Sequence, residues 1–206
     1  MKVSLNWIKD YVKLPADMDL KKLAYDLTMS TVEVEDAEDL AKKFDGIVVG
    51  VITQLLPHPN ADKLTVCTID IGTQQIIIVT GAKNLTVGDL VPVALDNSLL
   101  PCGKEIHAGE LRGVMSNGML CSLGELGLTT HDFPNAIEDG IMVLDEERPL
   151  GTPIEKALSM EDYMVEFEIT PNRPDCLSIL GLAREASATF GVPFNEPKPV
   201  MPQGED

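Results

Sequence analysis

The sequence predicts an α+β chain in which a small all-β barrel interrupts a unit built from helices and strands. Three observations lead there. Short apolar runs separated by turn residues fill the middle of the chain, helix-period apolar stripes lie at both ends, and Pro149, Gly151 and Pro153 punctuate the exit from the middle. At 206 residues the chain is long enough for one or two domains with a buried core.

The elements follow in order. Ser4 is placed to cap a helix over 4–12 by accepting a free backbone N–H, and Leu5, Ile8 and Val12 then share one face with Trp7 and Tyr11 beside it. Pro15 and Asp17 break that pattern. Asp19 caps a second helix whose stripe is Leu20, Leu23, Ala24 and Leu27, with Lys21, Lys22 and Asp26 outside. Helices this short need a further surface to cover. From Thr31 onward Val32 and Val34 alternate with Glu33 and Glu35, the pattern of a half-buried strand.

Five candidate strands follow, at 47–55, 64–71, 75–80, 90–95 and 141–144. Gly72 turns the second into the third, and Val87, Gly88 and Asp89 form the turn that enters the fourth. Leu120, Leu123, Leu126 and Leu128, around Glu125, predict a helical or turn segment that closes the barrel. Beyond 150, Val165, Phe167 and Ile169 face one side of a strand and Glu166 and Glu168 the other. Asn172, Pro174 and Asp175 suit a turn into a helix, whose packing side is Leu177, Leu180, Ala183 and Ala188 and whose stop is Gly191. The expected organisation is therefore a discontinuous unit of 1–39 plus 151–194, a barrel over 40–150, and a proline-bearing linker over 195–206.

Composition narrows the function classes. Sixteen basic against 33 acidic residues give a formal charge of −17, which favours solubility and opposes generic binding to a polyanion. The four cysteines, at 67, 102, 121 and 176, form no CxxC pair and read as reduced, mostly buried thiols. Cys102 and His107 lack further ligands, so no metal site is expected. Neither a signal peptide nor a membrane-length apolar run is present, and a cytoplasmic location is the expectation.

The motifs carry more. HPNADKL at 58–64, Cys67, VTGAKN at 79–84 and RGVMSNGMLCSLGELGL at 112–128 closely resemble the tRNA-binding domain in the beta chain of bacterial phenylalanyl-tRNA synthetases. Related domains occur in methionyl-tRNA synthetases and in free-standing tRNA-binding proteins. The flanks narrow the field, because MKVSLNWIKDYV at the start and ITPNRPDCLSILGLAREASATFG at 169–191 resemble the beginning of that same beta chain. The resemblance implies an OB-like barrel inserted in a discontinuous α/β N-terminal domain, with the linker leading toward absent downstream domains. It also implies a parent class II ligase, assembled with alpha chains as an α2β2 enzyme, that joins phenylalanine to tRNA with ATP and magnesium. The alpha chain would house aminoacylation, so this portion is expected to be noncatalytic, without a cofactor of its own, and to serve tRNA binding and scaffolding.

Nine polar residues on these motifs are the candidate RNA contacts: His58, Asn60, Lys63, Lys83, Asn84, Lys104, Arg112, Ser116 and Asn117. Lysine and arginine pair with phosphate, while amides and hydroxyls orient sugar and phosphate oxygens. Residues 40–150 hold 7 basic against 14 acidic side chains, a net −7, so contact requires the basic ones to share a face and is salt-dependent. The barrel motifs offer no interleaved aromatics for stacking a stretched strand, which points to the shape of folded tRNA. No catalytic constellation emerges. Ser116, Asn117 and Gly118 lack a nucleophile-elbow context, and GAKNLTVG lacks the order of a phosphate-binding loop. Arg173, within PNRPD at 171–175, is expected to pair with a carboxylate at a rigid strand-to-helix junction. The alternative is a protein-interaction and assembly module without direct RNA contact. A basic cluster on one barrel face favours RNA, and a contiguous apolar patch with a polar border favours docking.

Overall fold

Ser4 ends a three-residue strand, β1 (Lys2–Ser4), and caps α1 (Leu5–Lys9), in a computed structural model that describes residues 1–15 and 19–198. The Trp7 N–H donates to Ser4 Oγ at 3.0 Å. The helix stops short of Val12, yet Leu5, Ile8 and Val12 are all buried, because Val12 bridges to Phe194. Trp7 stays 54% exposed. In α2 (Leu20–Ser30) the Asp19 carboxylate caps Lys22 N–H at 3.3 Å, and Leu23 and Leu27 are buried. The strand β2 (Glu33–Asp39) follows. Asp17 and the 199–206 part of the expected linker lie outside the described residues.

A short 3-10 turn over Leu40–Phe44 leads into the barrel. Its strands are β3 (Ile47–Pro57), β4 (Thr65–Asp70), β5 (Gln75–Thr80) and β6 (Leu90–Leu95), then the hairpin β7 (Gly109–Leu111) and β8 (Val114–Ser116), then β9 (Gly118–Leu120). The five-stranded antiparallel sheet runs β5-β4-β3-β6-β9. Period-2 alternation turns Cys67, Ile69, Ile76 and Ile78 inward to meet Ile52, Val91 and Val93. The sheet nearly closes, since Asn117 N–H, just before β9, donates to the Ile77 carbonyl of β5 at 2.8 Å. This is the OB-like barrel of an α+β chain.

Two expectations are corrected. The fifth strand is β9, and 141–144 is not a strand of the sheet. Its Met142 and Leu144 N–H groups bond the carbonyls of Cys121 and Leu90 at 3.0 and 2.9 Å, and its apolar character reflects burial of Ile141 and Met142. Residues 151–161 pack with the barrel, whose unit spans Ala41–Glu161. Ile154 and Ala157 of α3 (Ile154–Ala157) are buried in one core with Phe44, Leu123 and Leu126, and that shared apolar surface moves the boundary. The leucine segment around Glu125 forms turns. Ser122 caps it, donating its N–H to the Glu125 carboxylate at 2.8 Å while its Oγ accepts from Glu125 N–H at 3.3 Å.

Met1–Leu40 and the chain from Asp162 onward form the other unit. Its last strand, β10 (Tyr163–Glu168), lies between β1 and β2, with Val3 opposite Val165, Val34 opposite Phe167 and Asp39 opposite Tyr163. Where the two halves of this unit part, Leu40 N–H donates to the Asp162 carbonyl at 3.0 Å. Val3, Ile8, Leu23, Phe167 and Leu182 meet in its core. The helix α4 (Ile179–Phe190) starts later than Pro174 suggests, because Pro174 opens a single 3-10 turn and Ser178 is the cap, accepting Gly181 N–H at 3.0 Å. The later start turns Leu182, Ala183 and Ala186 inward and leaves Leu177 62% exposed. Gly191 ends the helix at φ 62°, a left-handed position that glycine adopts freely.

Arg173 makes the expected junction. Its guanidinium donates to Asp175 at 3.1 and 2.9 Å and pairs with Glu185 at 2.9 Å. These donors hold the Asp175 carboxyl down at about 2. A depressed carboxyl stabilises the fold above its unfolded value of about 4, and that contribution disappears as pH falls toward about 2. Asp175→Asn is therefore expected to flatten the acid limb of stability between those values, lowering stability at neutral pH and leaving it nearly unchanged at about pH 2. Urea unfolding at a series of acid pH values reads this, and an unchanged acid limb would contradict it.

All four cysteines are free, and Cys102 alone among them is exposed. Burial pushes the thiols of Cys67 and Cys176 up to about 11 and that of Cys121 to about 12, so all three stay protonated at neutral pH.

Candidate nucleic-acid interface

Pairing of Pro57 with Thr65 and of Thr65 with Thr80 makes loop 58–64 and the loop after β5 leave the barrel at the same end. The first loop turns back on itself through Leu64 N–H to the Ala61 carbonyl at 3.0 Å and His58 N–H to the Leu64 carbonyl at 3.2 Å. Gly81 of the second faces Leu64 of the first. Lys63 and Lys83, both exposed, project from these loops.

The tip of the β7–β8 hairpin joins them. Arg112 and Gly113 form its two-residue turn between the paired Leu111 and Val114, with φ of 50° and 93°. Positive φ at both central residues is the type I′ turn that suits strand twist. Arginine there costs about 1–2 kcal/mol relative to a right-handed conformation. His58 and Asn60 fasten this tip. Asn60 N–H donates to His58 Nδ1 at 3.0 Å, so Nδ1 offers a lone pair and Nε2 carries the proton that it donates to the Leu111 carbonyl at 3.0 Å. The Asn60 amide donates to the Arg112 carbonyl at 2.9 Å. His58 is only 5% exposed, so its ring braces the loop from inside. Lys63, Lys83 and Arg112 thus gather on three segments at one end of the barrel.

The remaining candidates go elsewhere. Both ends of the Asn84 amide serve Ile141, donating to its carbonyl at 2.8 Å and accepting from its N–H at 3.2 Å. Ser116 is 4% exposed. Its Oγ accepts from Val79 N–H at 3.1 Å and donates to the Gly118 carbonyl at 3.0 Å, tying β5 to the β8–β9 segment. Asn117 sits on the same seam with an exposed side chain. Lys104 belongs to the opposite end. Its loop follows β6, where Ala94 pairs with Ile47 at the start of β3, and its Nζ lies 3.3 Å from Met119 Sδ. Asp62 is exposed beside Lys63 and tempers the positive field. This hairpin is not among the strands expected from the sequence, because Arg112–Gly113 between Leu111 and Val114 lacks the Asn-Gly or Asp-Gly form that marks a two-residue turn, and Gly113 is its one local signal. Among the described residues no group of three or more His, Cys, Asp or Glu side chains is placed to hold a metal ion.

A family model described as "Putative tRNA binding domain" matches residues 47–153, from the first residue of β3 to the residue before α3. The chain belongs to this tRNA-binding domain family. Beyond the domain itself, 96% of the chain is 43% identical to the phenylalanine–tRNA ligase beta subunit of Clostridium acetobutylicum, covering 24% of that protein. The beta subunit of Moorella thermoacetica is 42% identical over 100% of the chain and 25% of its own length. These relatives bear out the resemblance in the opening and closing motifs. The chain spans about a quarter of the length of the curated relatives it matches. Among solved structures, a MetRS related protein from Pyrococcus horikoshii is similar over 52% of this chain and 85% of its own, at 21% identity and a TM-score of 0.36. Within the tRNA-binding domain, the loop end thus carries the exposed cations Lys63, Lys83 and Arg112 together with the exposed carboxylate of Asp62.

Proposed function

We propose that this chain is a noncatalytic tRNA-binding and scaffold portion of a phenylalanine–tRNA ligase beta subunit, and that it meets tRNA with the loop end of its barrel. The observation that carries the reading is the convergence of Lys63, Lys83 and Arg112 on loops leaving one end of the barrel, within the segment that matches the tRNA-binding family. Cations on rigidly fastened loops suit phosphates at fixed spacing, so the ligand is the folded shape of tRNA. The net charge of −17 keeps the interaction weak and strongly salt-dependent. In the parent enzyme this portion assembles with alpha chains in an α2β2 complex in the cytoplasm, and the ATP and magnesium of aminoacylation belong to other parts of that complex. Among the described residues no helix is long and apolar enough to cross a membrane. The assembly reading has its own observation in Tyr25 and Met29, one helical turn apart on α2 and 64% and 68% exposed.

The test is tRNA binding across a salt series, comparing the 206-residue chain with a triple variant carrying Lys63→Ala, Lys83→Ala and Arg112→Ala. The triple variant is expected to bind more weakly at low salt, with a slope of log K against log salt shallower by about 2–3. A folded wild-type chain with no binding even at low salt would refute autonomous RNA recognition and leave assembly as the role.

A further inference from the structure

We infer that His58 and Asn60 serve tRNA at one remove, as positioning residues that hold the Arg112 turn in register with Lys63 and Lys83. The inference rests on the tRNA reading above and assigns roles within that interface. Residue type alone makes both side chains plausible RNA contacts, but both ring nitrogens of the buried His58 and the amide N–H of the exposed Asn60 are bonded to the protein. Both His58 ring nitrogens are used, one by Asn60 N–H and one by the Leu111 carbonyl. The Asn60 amide reaches the Arg112 carbonyl. Two successive carbonyls of the hairpin tip are thereby bonded to side chains of a loop more than fifty positions earlier in the chain.

The tip needs such a hold. A three-residue-stranded hairpin is marginal alone, and its turn places a non-glycine residue at positive φ. Asparagine would adopt that backbone more readily, so the arginine contributes a cation at the cost of turn preference. Fixing the carbonyl of Arg112 fixes the point from which its guanidinium departs. Order provided before RNA arrives need not be lost from the binding free energy.

The test is a double-mutant cycle on the whole chain, read by tRNA binding and its salt slope. Arg112→Asn removes the cation while creating the Asn-Gly dipeptide that type I′ turns prefer, so the hairpin is retained. Asn60→Ala is expected to weaken binding about 5-fold in the wild-type background and by less than about 2-fold in the Arg112→Asn background. Each single change should make the salt slope shallower by about 0.9 or less, and the double variant should lose no more than Arg112→Asn alone. His58→Gln, which keeps a donor toward the Leu111 carbonyl, should recover most of the affinity lost in His58→Ala. Amide exchange in Gly109–Ser116, measured without RNA, should quicken in Asn60→Ala and confirm that the rest of the chain is folded. Equal losses from Asn60→Ala in both backgrounds would make Asn60 a direct contact and overturn the inference while leaving the tRNA reading intact. An unaffected Asn60→Ala would overturn it too. A wild-type chain that binds no tRNA would overturn both.

Discussion

Gly118→Ala is expected to destabilise the barrel by about 2–6 kcal/mol, combining about 1–3 for overpacking with about 1–3 for a disfavoured backbone region. Gly118 opens β9 opposite Leu95, with φ at 146°, where an L side chain is strained. A Cβ at this position would fall on the Ala94 carbonyl oxygen, and a backbone atom inside a ladder cannot swing aside as a side-chain end can. The consequence spreads beyond one pair, because the Gly118 carbonyl also accepts the Ser116 hydroxyl that links to β5. Gly124 is the internal control. It is exposed, carries no positive φ, and an added Cβ meets nothing within 4 Å, so Gly124→Ala is expected to stay within about 0.5 kcal/mol of wild type. Urea unfolding of both variants decides the matter. Equal midpoints would show that β9 is not needed to close the barrel.

The second large effect lies in the other unit. Phe167→Ala should cost about 3–5 kcal/mol, the range for truncating a fully buried aromatic side chain. Phe167 is 1% exposed on β10, the central strand, and belongs to the cluster that includes Val3, Ile8, Leu23 and Leu182. Elements from both ends of the sequence would border the void, so neither half alone can collapse to fill it. Phe167→Leu leaves a smaller void and should cost less than Phe167→Ala. A loss below about 1 kcal/mol for Phe167→Ala would show that the core relaxes around the void.

Much of this architecture was legible because local chemistry and tertiary packing agree. Ser4 and Asp19 cap where short polar side chains precede apolar stripes, and β3 to β6 lie on runs bounded by turn residues. The failures have physical causes. The three residues of β9 are too few to show alternation, whereas 141–144 is apolar because it is buried, and burial is all that such a run reports. Pro174 and Ser178 both signal a helix start, and only packing selects the later one.

The site was legible in part for a related reason. Asparagine, serine and histidine suit an RNA backbone, yet they equally suit a protein's own unpaired carbonyls and amides. Asn84 and Ser116 are used inside the protein, and His58 braces a loop. Lysine and the guanidinium of Arg112 resist that fate, since a charged terminus is costly to bury: Lys63, Lys83, Lys104 and Arg112 all stay exposed, although Lys104 lies at the opposite end of the barrel from the other three.

The bond from Leu40 N–H to the Asp162 carbonyl, beside the Asp39 and Tyr163 pair, means that β2 and β10 are two arms of one hairpin. Seen from that hairpin, everything from Ala41 to Glu161 is its loop. Loop closure is penalised only logarithmically, by about 0.6 kcal/mol for each doubling of length. Lengthening such a turn from a few residues to a whole folded body therefore adds a penalty of a few kcal/mol, which the body's own core can offset. A hairpin of this kind is a point at which a gene can take in a ready-made binding module without redesigning the sheet that hosts it.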